Sequence, residues 1–438
     1  MCCTCIACAF GLFFGFSQMM VLEVQHSRYG GIYRLDSYSQ YRIVLSSDSS
    51  VTRNKKSLIR GRLVSGGTAD GNSGTLCGSV LVISSSLEAY CWGQHLLITA
   101  PLSEAPKTDK AAPSREIHYI SYANQDEIRE EGWNNTFYEI RAALLEQLRH
   151  CCRALSPETE GFLLALLLGI RDRLPAHVRE FFVLSGCMHI LALSGMHLGI
   201  LVSGLVFLTA NIFGRRVSGI CGICFTAFYL FLVGLKPSLL RAAIMFFLAS
   251  TARTCGKRSS ACALLSLTFL ISAWCFTRDL FSLSFQFSYA ALAGIIVLGK
   301  RLYFLIRGSL PPVIASPLCA AVAAQSATAF LAVGSFGSLY PVGIIAAILL
   351  TPLIVVFICE GILFLIISIT GLPWLIRIVN DIIEWTFFLI RTTVSFFSQC
   401  PFLSIPERYA FLIFLIPVIM VCYLYIFPNG TVKRQTDD

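Results

Sequence analysis

After Gly186 the chain becomes a succession of apolar runs, at about 187–213, 217–234, 238–252, 259–277, 283–299, 312–333, 340–369, 374–398 and 409–427. Most are long enough to cross the hydrocarbon core of a bilayer as helices. With a further apolar run at 4–22, which reads as an uncleaved first helix, the pattern predicts about ten crossings. Two of the runs are irregular. Residues 340–369 exceed one straight span and contain Pro352, which predicts a tilted or broken helix. Residues 374–398 carry Arg377, Asp381, Glu384 and Arg391, so they either span or lie along the interface.

Before Gly186 the periodicity is different. The stretches YRIVLSS, SLIRGRLVS, GSVLVIS and HLLITAP are short β-branched runs separated by Gly, Asn, Asp and Ser, which predicts four or five strands within 38–102. Such strands suit a small barrel of the OB type. From Thr136 to Glu180 the spacing turns helical, as in FYEIRAALLEQLRHCCRAL. The run GFLLALLLGI (161–170) is too short to span and predicts an interfacial or re-entrant helix. The resulting layout is a first membrane helix (1–22), a water-facing β domain (23–132), amphipathic or interfacial helices (133–186), a polytopic domain (187–427) and a polar tail (428–438). The fold class is thus a mainly α-helical polytopic membrane protein carrying a small OB-like β domain.

Composition agrees with that layout. Of 438 residues 55% are hydrophobic and 13% charged, against about 25% charged in ordinary soluble proteins. The formal charge of +9 is mostly a matter of topology. Arg215/Arg216, Arg253 with Lys257 and Arg258, Lys300 with Arg301 and Arg307, and Lys433/Arg434 fall in alternate loops. Placing 23–186 outside puts all four groups inside, as positive-inside sorting requires. Most of the 18 cysteines lie in apolar runs and read as small hydrophobes. The cluster Cys2, Cys3, Cys5, Cys8 has no partner set at metal-finger spacing, so no metal site is expected. Cys77 and Cys91 fall in the water-facing segment, where a disulfide between them is permitted.

Polar chemistry enters the apolar region first at LSGCMHILALSGMHLGILVSGL (184–205). On one continuous helix, Gly186, His189, Ser194 and His197 would share an arc of roughly 140°. Polar groups within a bilayer usually face a bundle interior or a water-filled cavity. A neutral imidazole can also be satisfied by a neighbouring helix. In the β region Arg42, Arg53, Lys55, Lys56, Arg60 and Arg62 are clustered. They suit either contact with a nucleic-acid backbone or a solvated face beside anionic headgroups.

These segments carry a resemblance. HILALSGMHLGIL (189–201), with its His, Ser-Gly and second His, is similar to the competence-domain motif of the ComEC family. In order after it, GLKPSLLRAAIM (234–245), FSLSFQFSYAALAGI (281–295) and AAQSATAFLAVGSFGSLYPVGIIAAILLTPL (323–353) resemble further stretches of that family. Phe287 replaces a leucine of its Phe-Gln-Leu-Ser segment. An asparagine common before the last Pro-Leu is absent, with small apolar residues around Ala346 instead. The likeness covers about 160–400, and the β region fits the family's extracytoplasmic OB-like domain. The His-x-His-x-Asp-His cluster of the metallo-β-lactamase-like domain that many relatives carry is not among the 7 histidines.

The resemblance implies a non-enzymatic channel in the bacterial inner (cytoplasmic) membrane that passes single-stranded DNA during natural transformation. It implies no cofactor. The partners it implies are the DNA strand, a DNA receptor and a cytoplasmic ATPase within a lipid bilayer, with homo-oligomerisation left open. His189, Ser194, Gly195, His197, Arg241, Gln286, Ser288 and Gln325 are the candidate path-lining residues. Arg241 is a phosphate contact or snorkels to an interface, and Gln286 and Gln325 line the path or hydrogen-bond across helices. Glu360 would repel phosphate and reads as a structural partner or gate element. Two other classes compete: a small-solute secondary transporter, and an intramembrane serine protease built on Ser194, whose base would have to be His197.

Overall fold

The structure, a computed structural model, describes residues 38–51, 56–68, 73–74, 78–85, 88, 90–104, 119–133, 135–406, 413, 415 and 419. The expected first helix, nearly all of the last, Arg53, Lys55 and Cys77 lie outside the described residues. The molecule is mostly helical, with a β domain preceding the helices.

The β domain contains β1 (Tyr38–Leu45), β2 (Ser50–Val51), β3 (Ser57–Thr68), β4 (Ser73–Gly74), β5 (Gly78–Ser84), β6 (Gln94–Ile98), β7 (Leu102–Glu104), β8 (Tyr119–Ala123) and β9 (Ile128–Trp133). The alternation read in the sequence is what buries them: Ile59 and Leu63 of β3 point inward while Arg60 and Arg62 point out. The main order is β7-β8-β5-β3-β1-β6-β9, and every pairing is antiparallel except β5 with β8. Tyr41, Ile43, Leu45, Ile59, Val80, Val82, Leu96 and Ile98 form its core. No pairing among the described residues closes β7 onto β9, so the described sheet is open where a barrel was expected. Cys91 is half-buried in the turn before β6, and its expected disulfide partner Cys77 lies outside the described residues. The Cys91 backbone N–H donates to Gln94 Oε1 at 2.9 Å within a tight turn.

Among the described residues twelve α-helices follow: α1 (Thr136–Cys152), α2 (Pro157–Leu167), α3 (Ala176–Leu184), α4 (Met188–Leu191), α5 (Gly195–Gly214), α6 (Arg216–Val233), α7 (Pro237–Thr254), α8 (Ala261–Cys275), α9 (Leu283–Ile306), α10 (Pro312–Phe336), α11 (Gly343–Thr370) and α12 (Pro373–Ser398). Five of them, α5, α6, α9, α10 and α11, are long and apolar enough to cross a membrane, and α8 is a shorter apolar helix. The expectation of about ten spans therefore reduces to five among the described residues. α7, with Arg241, Arg253 and several Ser and Thr, is less apolar than these five, and α12 carries Arg377, Asp381, Glu384 and Arg391.

Neighbouring long helices form hairpins. Gly214 has φ +81° and ψ 167°, a conformation open chiefly to glycine, and there the chain reverses. A Cβ on Gly222 of α6 would lie 2.9 Å from Val206 of α5. α12 runs antiparallel along α11 for its whole length. A tight turn at Gly371 starts the pairing, Phe357 packs on Phe387 midway, and Tyr340 stacks on Phe402 at the far end. α12 thus follows the course of α11 rather than departing from it sideways.

The short helix α2 is buried on every face, as a helix apolar all round must be. Phe162 packs on Phe182, Phe357 and Phe387. The ends of a helix leave backbone groups without partners along it, and here other helices supply them. Glu384 of α12 accepts from Ser156 N–H (2.7 Å), Ser156 Oγ (2.9 Å) and Thr159 Oγ1 (2.6 Å) at the N-terminus. At the C-terminus Tyr229 Oη donates to Leu167 O at 2.5 Å.

Arg141 of α1 joins the two parts of the molecule. Its side chain is 1% exposed and forms a two-pronged ion pair with Asp48, in the β1–β2 turn, at 2.8 and 2.7 Å. Its Nε donates to Phe231 O and Leu232 O at the end of α6 at 3.1 and 3.0 Å. Trp92 lies 5.7 Å from the guanidinium and donates its backbone N–H to Asp48 at 2.8 Å. Next to it Gly93, at φ +85°, lets the turn lie against the Tyr138 ring, which a Cβ would strike at 2.3 Å. Burial raises the Asp48 carboxyl, but the Arg141 guanidinium outweighs it and holds the group below the usual carboxylate range.

Arg141→Ala is expected to lower stability by about 3 kcal/mol, less than for a wholly buried pair because Asp48 keeps water contact. Thermal unfolding in detergent checks this. A depressed carboxyl stabilises above its unfolded value and loses that contribution as pH falls through its folded value. The wild-type advantage over Asp48→Asn should therefore be constant near neutrality, begin to shrink below about pH 4 and be lost as pH falls through the lower folded value.

Candidate functional site

The motif around Ser194 does not form one helix, and the shared arc of Gly186, His189, Ser194 and His197 is not formed. α3 ends where Gly186 N–H donates to Val183 O at 3.0 Å and Cys187 N–H donates to Phe182 O at 2.9 Å. That is the Schellman pattern, with Gly186 at φ +73°. α4 lasts one turn, the chain is extended at Ala192, and α5 starts afresh from Ser194. Each Ser-Gly pair punctuates a helix: the first ends α3, the second starts α5. Gly186 also allows close contact with Tyr340 and Gly343 at the start of α11.

Ser194 and His197 form a reciprocal cap at the N-terminus of α5. The serine Oγ lies 2.9 Å from His197 Nδ1, and Ser194 N–H donates to the same Nδ1 at 3.3 Å. A backbone N–H can only donate, so Nδ1 is the acceptor and the neutral ring carries its proton on Nε2. His197 thus takes the position that Glu or Gln holds in the usual capping box, without bringing a charge. It is 1% exposed, and Nε2 has no partner. An orphaned buried donor costs about 1–3 kcal/mol.

Arg241, one turn into α7, reaches the same place. A Cβ on Gly195 would lie 2.9 Å from Ala242 Cβ and 3.8 Å from Arg241 Nη2. Arg241 Nη1 donates to Ser288 O of α9, and the guanidinium sits 5.6 Å from the Tyr289 ring centre. Tyr289 Oη contacts Ser272 Oγ of α8 at 3.2 Å. Arg241 Nε is buried without a partner, and among the described residues Arg241 has no acidic partner. Of the expected path residues, Ser194, Gly195, His197, Arg241 and Ser288 are therefore brought together.

The others stand apart. His189 is exposed on α4. Gln325 of α10 donates to Tyr340 O at 2.9 Å, beside Gly186. Gln286 is half-buried on α9. Glu360 accepts from Thr386 at 3.1 Å, which ties α11 to α12, and its Oε2 is unpaired. On the β domain Arg42 pairs with Glu131 at 2.8 Å and borders a hollow of about 350 Å³ with His95. Lys56, Arg60 and Arg62 are exposed. Among the described residues no group of three or more His, Cys, Asp or Glu could hold a metal ion.

Residues that the sequence did not single out surround the cluster on the side of the β domain. Arg171 Nη2 donates to Leu191 O at 2.9 Å, and Ser238 Oγ donates to Leu193 O at 2.7 Å. Lys236 Nζ lies 3.3 Å from Gly169 O. The signal for Arg141 was present, since it shares the apolar stripe of Leu145 and Cys152. Lys236 and Ser238 stood inside a quoted motif, where only Arg241 drew notice.

Helical hairpins with five helices long and apolar enough to cross a membrane, and a β domain clamped at one end, are the build of a polytopic membrane protein. Residues 166–430 match the family model described as Competence protein, and the chain belongs to that family. It is 29% identical over 144 residues to ComE operon protein 3 of Bacillus subtilis, covering 33% of this chain and 19% of that protein. Against an uncharacterized protein of Aquifex aeolicus it is 28% identical over 227 residues, 52% of each chain. Against the uncharacterized protein YcaI of Escherichia coli it is 31% identical over 90 residues, 19% of this chain and 12% of that one. The matches thus span at most about half of these relatives. No solved structure matches.

Ser194→Ala is expected to cost about 1 kcal/mol and Ser194→Asn far less, since asparagine also caps. Thermal unfolding of the two variants checks the capping role.

Proposed function

We propose that this protein conducts single-stranded DNA across the inner membrane during competence DNA uptake. The observation that carries the proposal is Arg241, a half-buried guanidinium with no acidic partner among the described residues, beside the N-terminus of α5 and the orphaned His197 Nε2–H. Cation, helix N-terminus and spare donor all favour an anion. A phosphodiester backbone is the anion that the family assignment supplies. In the conformation seen, Ser288 O and the Tyr289 ring occupy the guanidinium, so the cluster is shut. Conduction requires that they give way to phosphate oxygens.

Topology supports the same reading. Hairpin pairing puts the starts of α5, α7, α9 and α11 at the β-domain end, and the basic stretches near Arg216, Lys257 and Arg307 at the other. Positive-inside sorting then favours an extracytoplasmic β domain. Its pairing order, with β5 and β8 parallel, supports an OB-like platform for a single strand, with Arg42, Lys56, Arg60 and Arg62 exposed. A DNA receptor outside and an ATPase inside are the partners this reading expects.

Arg241→Glu is expected to reduce internalised DNA at least tenfold while surface-bound DNA and membrane insertion stay unchanged. Transformation of a deletion strain carrying the variant, with the two DNA pools scored separately, checks this, and normal uptake would refute the role. The Ser194–His197 contact favours a second reading, a serine hydrolase. It lacks a group to orient the imidazole, because Nε2 has no partner. Ser194→Asn removes the nucleophile but keeps the cap, so uptake that survives in this variant argues for the conduit.

A further inference from the structure

We propose that Arg171 and Lys236 form a phosphodiester-binding mouth where three turns converge beneath the β domain, one helical turn above Ser194, His197 and Arg241. The proposal rests on the DNA-conduit reading and names where the strand first meets the helical domain.

The three turns are 169–171 between α2 and α3, 191–194 between α4 and α5, and 234–238 between α6 and α7. They are knit together by the cations themselves and by Ser238. Arg171 holds Leu191 O, Lys236 reaches Gly169 O, and Ser238 holds Leu193 O. A Cβ on Gly169 would fall 2.1 Å from Lys236 Nζ and 2.4 Å from Leu193 Cδ1, which shows how closely the turns meet. Neither cation has an ion-pair partner among the described residues.

Charge bookkeeping at this seam leaves an excess. The groups that act on Lys236 are Arg171 from the α2–α3 turn, Arg141 from α1 and Asp48 from the β1–β2 turn. Among these groups three cations, Lys236 included, face one carboxylate, which Arg141 already bonds at both oxygens; around Arg171 stand Asp172 in the same turn, Arg179 of α3, and Arg173 paired with Glu160. Backbone carbonyls satisfy N–H donors but do not neutralise charge. A bound anion would. Burial first, then Arg171 and Arg141, push Lys236 down to about 8, against the pull of Asp48. One turn further along α7 lies Arg241, and one turn along α5 lies His197, so phosphates spaced along a strand would meet these groups in series.

The test is binding of a fluorescent oligothymidylate to the full chain in phosphatidylcholine nanodiscs. Lys236 loses its charge as pH rises through about 8, so wild-type affinity should fall about tenfold between pH 7 and 9, the size of one charge-assisted contact. Lys236→Arg should abolish that fall, because its charge persists. Lys236→Met should bind weakly at both pH values, with a salt slope reduced by about 0.7. A flat wild-type profile overturns the proposal and needs no variant. So does unchanged binding by Lys236→Met, or competition from added phosphatidylglycerol that displaces the oligonucleotide, which would make the mouth a lipid site. Uptake by the deletion strain is scored in parallel. Normal uptake there sinks the conduit reading itself, whereas lost uptake with pH-independent binding sinks only the mouth.

Discussion

A guanidinium removed from water is among the most expensive groups a protein can bury, and Arg141 fixes where everything else must lie. Its charge is tolerated because every direction of its fork is met: Asp48 by two hydrogen bonds, Phe231 O and Leu232 O by Nε, and the Trp92 ring alongside. The two carbonyls belong to the last turn of α6, where unsatisfied acceptors and the negative end of the helix dipole favour a cation. One side chain therefore couples a β turn, an amphipathic helix and the end of a membrane helix. Gly93 closes the remaining gap by letting the turn reach Tyr138. The β domain is held over the turns at 169–171, 191–194 and 234–238 rather than hanging free.

Much of this architecture was legible in the residues. Four strands fall where β-branched runs stood, at Tyr38–Leu45, Ser57–Thr68, Gly78–Ser84 and Gln94–Ile98. The apolar run 161–170 predicted a helix too short to span, and α2, eleven residues long, is buried from Thr159 to Leu167. What pattern could not supply was its pair of caps. Glu384 is more than two hundred residues away, and its charge looked like a reason to place 374–398 at the interface. In the fold that carboxylate satisfies Ser156 and Thr159, and the helix that carries it lies along α11.

The motif 184–205 was misjudged for a related reason. Apolar continuity through Ile190, Leu191 and Leu193 suggested one helix, yet two Ser-Gly pairs bracket the segment. Gly186 takes a left-handed conformation that ends α3, and Ser194 supplies the oxygen that starts α5. Hydrophobicity reports what can be buried, whereas capping residues report where helices begin and end. The hairpin at Gly214 makes the same point, because an apolar run on each side conceals a reversal that one glycine permits. The cost of punctuating a helix inside apolar surroundings is a set of polar groups that no water satisfies.

Those groups explain why the break and the polar cluster coincide. Ending α4 at Leu191 and beginning α5 at Gly195 leaves carbonyls at 191 and 193 and amides at the α5 N-terminus, all in need of partners. Arg171 and Ser238 meet the carbonyls, and Ser194 with His197 meets the amides. A purely structural repair could have used neutral side chains throughout, as Ser238 does. Arg171, Lys236 and Arg241 instead bring three charges, none of them in an ion pair with an acid among the described residues. Unneutralised cations at a helix break are destabilising for a resting bundle. Their presence is accounted for if an anion passes them, because each then gains its counter-charge in turn.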